Sequence, residues 1–372
     1  MNIDNIKTPA YVIDESALRR NLEILKDVRE RSGAHIVLAQ KAFSNYYFYP
    51  MIAKYIDGTT ASGLYEAKLG KLMGGENHVY SPAYKPEDMD EISEICDHVI
   101  FNSRAQYQLY APLCIAKNVS VGVRINPEYS TQTEHEIYDP CSASSRLGIR
   151  RKDFDISDYE GLEGLHMHTL CEQNSDDLIS TFKVFEENFA EELKKVRWLN
   201  LGGGHHITRA DYDREALIEL IKYIRETYKV EVILEPGEAI ALNAGYLVCE
   251  VLDKVRADKE VLILDASAAC HMPDVLEMPY TPPLKDSIEG GKYTYILSSN
   301  TCLAGDIIGT YSFDREIGIG ERLVFEDMAI YSMVKNNTFN GIPLPDIDVL
   351  HEDGSIDVIK RFGYEDFKGR LS

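Results

Sequence analysis

Short β-branched apolar runs alternate with longer amphipathic stretches up to about residue 240. Residues 34–39, 79–80, 98–101, 119–125, 162–168, 198–201 and 230–234 each read as a buried strand. Between them, apolar positions recur at helical spacing over 16–31, 64–73, 176–196 and 213–228, with Ser16 and Asp176 placed to cap the first and third of these helices. Strands alternating with helices predict an α/β fold of parallel βαβ units. Their number fits a (β/α)8 TIM barrel better than an open sheet. Past residue 240 the pattern changes. Apolar runs at 246–252, 261–265, 293–297 and 322–325 are separated by prolines and glycines, and helical periodicity is weak. That predicts a mainly antiparallel β domain. The isolated run at 8–14 is a strand that could pair with it. The expected division is a barrel over 15–243 and a C-terminal β domain made of 1–14 and 244–372.

Composition narrows the function. A chain of 372 residues, 44% hydrophobic and 10% aromatic, can bury a large core, and no low-complexity tract argues for disorder. Lys and Arg number 39 against 61 Asp and Glu, a net charge of −22. Such a surface repels nucleic acid and anionic membrane and suits a cationic small-molecule partner. The first residues carry neither a basic region nor an apolar run, so no signal peptide is expected. No stretch approaches the ~18 apolar residues a membrane span needs. The seven cysteines form no CxxC pair, which favours a reduced, cytoplasmic protein over a disulfide scaffold or a zinc ribbon.

Several positions could carry chemistry. Lys41 follows an apolar strand, and strand C-termini bear the active site of a barrel. A partly desolvated lysine there has a nucleophilic amine, although on position alone an ordinary surface lysine is the commoner case. The run Gly202-Gly203-Gly204 follows another strand and fits a phosphate cradle or a tight turn equally well. Glu235, at the next strand end, could meet a pyridinium nitrogen or a metal, or simply start a helix. His166 and His168 lie two apart, a spacing that also suits a metal-dependent barrel hydrolase. Cys302 sits in a polar, glycine-containing loop.

Taken in order with their flanks, these residues resemble the fold-type III pyridoxal-phosphate decarboxylases, the alanine-racemase-like family that includes ornithine, diaminopimelate and biosynthetic arginine decarboxylases. The resemblance runs from about Thr8 to Gly341 and is strongest to members acting on carboxylated polyamines. It rests on the phrases at 60–66 (TASGLYE), 168–172 (HTLCE), 202–206 (GGGHH), 271–274 (HMPD) and 301–306 (TCLAGD). It implies that Lys41 holds pyridoxal 5'-phosphate, that His168 stacks on its ring and that Glu235 keeps the ring nitrogen protonated. Gly203, Gly204 and Tyr331 would contact the phosphate, Arg124 and Glu66 would form a supporting ion pair, and Cys302 would protonate the carbanion. In the family that cysteine reaches across from a second subunit, so a homodimer with shared sites is expected, and residues 338–341 match a segment lining the shared site. No metal is expected.

Three departures bear on substrate. The family's EPGR reads Glu235-Pro236-Gly237-Glu238, the acid usual after the catalytic cysteine is Leu303, and the serine of His-x-Gly-Ser is Cys171. Loss of that arginine argues against diaminopimelate. A long polyammonium substrate needs carboxylates along its channel. Glu238 and Asp274 are the leading candidates, followed by Asp306 and Glu172. The rival readings are a relative acting on diaminopimelate, ornithine, lysine or arginine, a non-catalytic regulatory homologue, and a metal-dependent hydrolase built on His166 and His168.

Overall fold

Parallel strands joined through helices fill the middle of the chain. Residues 3–132 and 139–372 are described by the computed structural model. After an N-terminal strand β1 (Ala10–Asp14) come β2 (His35–Ala39), β3 (Gly58–Ala61), β4 (Glu76–Tyr80), β5 (His98–Phe101), β6 (Ser120–Asn126), β7 (Ile149–Arg150), β8 (Gly164–His166), β9 (Trp198–Asn200) and β10 (Glu231–Leu234). The neighbours run β5-β4-β3-β2-β10-β9-β8-β6, and β6 pairs back with β5, closing eight parallel strands into a barrel. The short β7 adds a parallel pair at the end of β6. Two compact units result, Asn21–Ile240 holding the barrel and Met1–Arg20 with Ala241–Ser372 holding the second sheet.

The barrel floor is set by one aromatic side chain. Trp198 opens β9, is 2% exposed and packs with Val37, Ile100 and Ile233. Its indole N–H donates to Ser120 Oγ at 2.9 Å. The ring lies flat against Gly122 and Gly164, where an added Cβ would sit 2.2 and 1.9 Å from indole carbons. Glycine is required there because the indole takes the volume a side chain would need.

Helix starts differ from the sequence expectation by one residue and their caps by two. The first helix spans Glu15–Ser32, and the Asp14 carboxylate, not Ser16, accepts the Ala17 N–H at 2.9 Å. The helix expected to start at Asp176 spans Ser175–Leu193; Asn174 is its cap, with Asp177 accepting the Asn174 N–H at 3.4 Å. An acid closes the N-terminal turn from outside it in the first case and from its third residue in the second, each satisfying an amide that has no partner within the helix. Strand β3 has the sequence Gly-Thr-Thr-Ala, with no apolar run to mark it. It is recruited because both flanking strands offer parallel partners.

The second unit contains β11 (Gly245–Arg256), β12 (Glu260–Leu264), β13 (Tyr293–Ser299), β14 (Ile307–Phe313), β15 (Arg322–Glu326), β16 (Asp346–Leu350) and β17 (Ile356–Lys360). The order is β14-β13-β12-β11-β1-β16-β17, with β15 also on β11. Strand β11 serves two neighbourhoods: its first half pairs with β1 and β15, and past an irregularity at Val251/Asp253 it pairs with β12. Most pairs are antiparallel, but β1–β16 and β12–β13 are parallel, so the sheet is mixed. Tyr11, Leu247, Leu262, Tyr295, Phe313 and Phe325 form its core. Strands β14 and β17 lacked a clear apolar signal because much of each faces solvent, and β16 because the residues that interrupt its apolar run, Asp346 and Asp348, are themselves buried.

Gly164→Ala forces a methyl into the indole of Trp198. The expected result is a thermal denaturation midpoint lowered by an overpacking cost of about 1–3 kcal/mol, with the strand content by circular dichroism unchanged. An unaltered midpoint would show that the indole moves away freely.

Candidate active site

The C-terminal ends of the barrel strands bring the predicted residues of this unit together. Glu235 follows β10 and is 7% exposed. Asn200, the last residue of β9, donates its amide to Glu235 Oε1 at 2.8 Å and accepts the Gly202 N–H on its own oxygen at 2.8 Å. Burial works to protonate Glu235, but the His166 ring, the Asn200 amide, His78 and the Thr60 hydroxyl outweigh it, so the carboxyl titrates below its ordinary range. Burial pushes His166 down to about 3, Glu235 resisting and Arg124 and Lys41 adding to the fall, so the ring is neutral at pH 7. Asn200 and Thr60 are the hydrogen-bond donors to the Glu235 carboxylate. His166 Nε2 lies 3.7 Å from Glu235 Oε2, and neither ring nitrogen of His166 has a hydrogen-bond partner.

His168 lies two residues past β8, its ring 6.4 Å from that of His166. Its Nδ1 accepts the Gly203 N–H at 3.1 Å, and its carbonyl accepts Arg124 Nη2 at 3.0 Å. Burial, then the charges of Lys41 and Arg124, hold its pKa well below the ordinary histidine value. The imidazole is thus neutral, oriented and protonated on Nε2. Arg124, on β6, is 5% exposed and stands over the Tyr80 ring at 4.8 Å. Lys41 is accessible to solvent yet ringed by protein. That crowding, and then the charge of Arg124, lowers its pKa against smaller opposing effects of Glu235, Cys171 and Glu238.

The expected ion pair between Arg124 and Glu66 is not formed among the described residues. Glu66 turns back to accept the Ser62 N–H at 2.6 Å, at the start of the helix Leu64–Gly70, where a carboxylate meets the unpaired amides. Arg124 is held instead by the His168 carbonyl and the Tyr80 ring.

The glycine run is wedged between strand ends. A Cβ on Gly203 would fall 2.1 Å from the Glu235 carbonyl oxygen, and one on Gly204, at φ +80°, 1.9 Å from that of Leu170. Gly203 gives its amide to His168, so Gly204 is the better placed of the two to offer an N–H to an anion. The Gly204 carbonyl accepts the Gln173 N–H at 3.1 Å. Glu238 opens a short helix after β10 and contacts His206 Nε2 at 2.8 Å. Arg209 approaches the other nitrogen of His206 at 3.4 Å and donates to Asn174 at 2.7 Å. Asn200 and His206 were not assigned roles from the sequence. Glu172 is exposed, at φ +57°.

The remaining predicted residues belong to the second unit. Cys302 is exposed in the loop between β13 and β14, its N–H donating to Asn340 Oδ1 at 2.6 Å. Asp306, 1% exposed, accepts the hydroxyls of Ser267, Ser299 and Thr301, each at 2.6 Å, and the Ala269 N–H at 3.2 Å. Burial would raise its pKa, but those donors hold it below the ordinary aspartate value. Asp306 thus ties both ends of the cysteine loop to the segment before residue 270. Asp274 is ion-paired with Lys335, which also reaches Glu277 at 2.8 Å. Tyr331 has a left-handed backbone, φ +52°.

These features of the barrel end fit pyridoxal phosphate. A lysine of lowered pKa suits its aldehyde, a buried ionised carboxylate suits its ring nitrogen, and a glycine cradle that a Cβ would fill suits its phosphate. Donor atoms of His166, His168 and Glu235 also lie within 4.8 Å of one another, as a hydrolase metal site would need.

The fold and site define a barrel enzyme of pyridoxal chemistry, and the comparisons agree. Residues 10–329 match the family model described as pyridoxal-dependent decarboxylase, C-terminal sheet domain; the chain belongs to that family and is a carboxy-lyase that uses pyridoxal phosphate. It is 42% identical to the carboxynorspermidine/carboxyspermidine decarboxylase of Campylobacter jejuni, covering 100% of both chains. It is 37% identical to the carboxyaminopropylagmatine decarboxylase of Synechocystis, over 99% of this chain and 96% of that one. Among solved structures, carboxynorspermidine decarboxylase from Campylobacter jejuni, complexed with norspermidine, superposes with a TM-score of 0.91 at 40% identity, covering 98% of this chain and 100% of that one.

Because Arg124 is the second cause of the lowered Lys41 pKa, Arg124→Gln raises it without restoring the ordinary value, since burial remains. The midpoint of the pH profile for reaction of the cofactor-free enzyme with pyridoxal, followed by absorbance, moves to higher pH. A midpoint unmoved or lowered would show that Arg124 does not act on the amine.

Proposed function

We propose that the chain decarboxylates carboxynorspermidine and carboxyspermidine, yielding norspermidine and spermidine, as a cytoplasmic homodimer with shared active sites. The observation that carries the substrate assignment is Glu238. It places an anion, paired with His206, where the sequence resemblance leads one to expect a cation. A substrate with secondary and primary ammonium groups gains charge-assisted hydrogen bonds from such a carboxylate, whereas a substrate with a distal carboxylate is repelled. Identity of 42% along the whole length of a relative named for these two substrates supports the same reading. A second reading has its own support in the relative named carboxyaminopropylagmatine decarboxylase at 37%. A guanidinium end would also pair with Glu238, in the bidentate manner open to arginine-like groups.

When bound, pyridoxal phosphate supplies an electron sink for the pair released as CO₂ departs. The chain supplies the rest. Lys41 presents an amine that sheds its proton more readily than an ordinary lysine, and can therefore act as nucleophile and proton carrier. Glu235, held ionised in a buried place, keeps a proton on a basic ring nitrogen facing it. His168, neutral and locked by Gly203, offers a flat face for stacking. The buried wall around Glu235 and His166 excludes water, so the carboxylate to be lost is weakly solvated. Cys302 is the proposed acid that returns a proton to Cα, in a loop braced by Asp306 and Asn340. Of the acidic candidates, Glu238 and Asp274 are assigned to the ammonium groups. Asp306 is assigned to the loop, because its oxygens already accept four hydrogen bonds.

The direct test is CO₂ release from the cofactor-loaded enzyme given carboxynorspermidine, carboxyspermidine, carboxyaminopropylagmatine, diaminopimelate, ornithine and arginine separately. Release mainly from the first two is expected. Preference for the third supports the second reading, and preference for diaminopimelate would overturn the role of Glu238. Glu238→Gln and Asp274→Asn raise KM for the carboxylated polyamine about tenfold or more while leaving the cofactor spectrum unchanged, one charge-assisted bond being lost in each. Unchanged KM in both would remove these residues from the substrate channel. Cys302→Ala retains the cofactor and loses most of its turnover; full activity would exclude it as the acid.

A further inference from the structure

The barrel carries a second cluster of histidines at its opposite end. His35 opens β2, Glu76 opens β4 and His98 opens β5, so these residues stand at strand N-termini, whereas Lys41 follows the C-terminal end of β2. His78, two residues into β4, pairs in register with His98. Glu76 joins the group: one oxygen meets His35 Nδ1 at 2.8 Å, the other His78 Nε2 at 2.9 Å. The His78 and His98 rings lie 4.1 Å apart at 45°, and the edge of Trp198 packs on His98 at 5.4 Å. Of these residues only His78 enters the description of the catalytic end, through its effect on Glu235.

Hydrogen bonding explains part of this arrangement and leaves part of it over. His78 is fully buried, and its Nδ1 has no partner; nor has the Nδ1 of His98. Two buried ring nitrogens without a partner are costly, and each calls for an explanation such as a bound ion. One donor atom each from Glu76, His78 and His98 lie within 4.8 Å of one another. A four-coordinate zinc-sized ion, with ligands at about 2.0–2.2 Å, draws its donors a little closer than that, within reach of small side-chain rotations.

We propose that Glu76, His78 and His98 bind one divalent transition-metal ion of the zinc type at the N-terminal end of the barrel, with His35 orienting Glu76 from outside. Two imidazoles and a carboxylate select zinc or cobalt over magnesium or calcium, which prefer all-oxygen sites. His35 and Glu76 are 38% and 30% exposed, which gives the ion an entry path and a solvent ligand. The N-terminal face of such a barrel serves stability, so the ion is a staple joining β4 to β5 and takes no part in catalysis. The inference does not rest on the identity of the decarboxylase substrate.

The test uses the cofactor-loaded enzyme, stripped with a chelator and dialysed against Zn²⁺ or Co²⁺. Wild type is expected to retain one equivalent per chain by elemental analysis. The cobalt form should show the visible bands of a four-coordinate nitrogen and oxygen site, without a thiolate charge-transfer band. Zn²⁺ should raise the thermal denaturation midpoint in a concentration-dependent way. His98→Gln and Glu76→Gln should each weaken binding by more than tenfold, and His35→Asn by less, since it removes only an outer partner. Retention of less than one equivalent by wild type would overturn the proposal whatever the variants do. So would a thiolate band, or binding that survives His98→Gln and is lost in His166→Gln, which would place the ion at the catalytic end.

Discussion

A carboxylate kept ionised inside the barrel is the constraint around which the site is organised. Glu235 has little access to water, and an isolated charge there is strongly disfavoured. Its charge survives because the field of the His166 ring, with hydrogen bonds from Asn200 and Thr60, outweighs the cost of burial. Asn200 does two things at once. Its amide fixes Glu235, and its oxygen takes the Gly202 N–H, so the carboxylate and the start of the glycine run share a single anchor. Lys41 and Arg124 complete the field: each helps to depress the imidazoles of His166 and His168, and the two cations oppose one another.

That field explains the protonation states. A buried histidine between two cations loses its proton, and His168 then has an unprotonated Nδ1 free to accept from Gly203. The accepted bond fixes the ring plane, and the Gly203 backbone can come that near only because glycine leaves the approach to the Glu235 carbonyl open. Charge, tautomer and backbone conformation are thus one linked choice. Replacing any of these residues by a near neighbour in size disturbs the others.

The fold was legible wherever a strand was apolar and a helix amphipathic. It was illegible at Gly58–Ala61, whose small polar residues become a strand only because β2 and β4 flank them. The caps at Asp14 and Asn174 were missed by two residues, since serines and acids stand close enough in sequence to compete for each place. Lys41 and Glu235 were singled out at strand ends, and His168 and the glycines in their phrases; the structure gathers them at one end of the barrel. Asn200 was not, because a lone asparagine at a strand end gives no signal until Glu235 is placed opposite it. The Arg124–Glu66 pair was expected from resemblance, yet helix geometry gives Glu66 a local amide that is easier to satisfy than a distant guanidinium. Asp306 looked like a channel acid in the sequence; its three hydroxyl partners come from residues as far away as Ser267.

On the proposed reading, Glu238 is the position that decides what the barrel end can receive. A carboxylate there puts a second acidic side chain shortly after the same strand as Glu235. His206 beside Glu238 and Arg209 behind His206 set a donor and a cation against its charge. Arg209 is in turn held by Asn174, the cap of the helix Ser175–Leu193, so the acid at 238 is braced from the barrel's outer layer. A carboxylate supported in this way keeps its orientation while still favouring a cation over an anion. On that reading, the barrel turns from substrates with a distal carboxylate to polyammonium chains while Lys41, His168 and Glu235 keep their places.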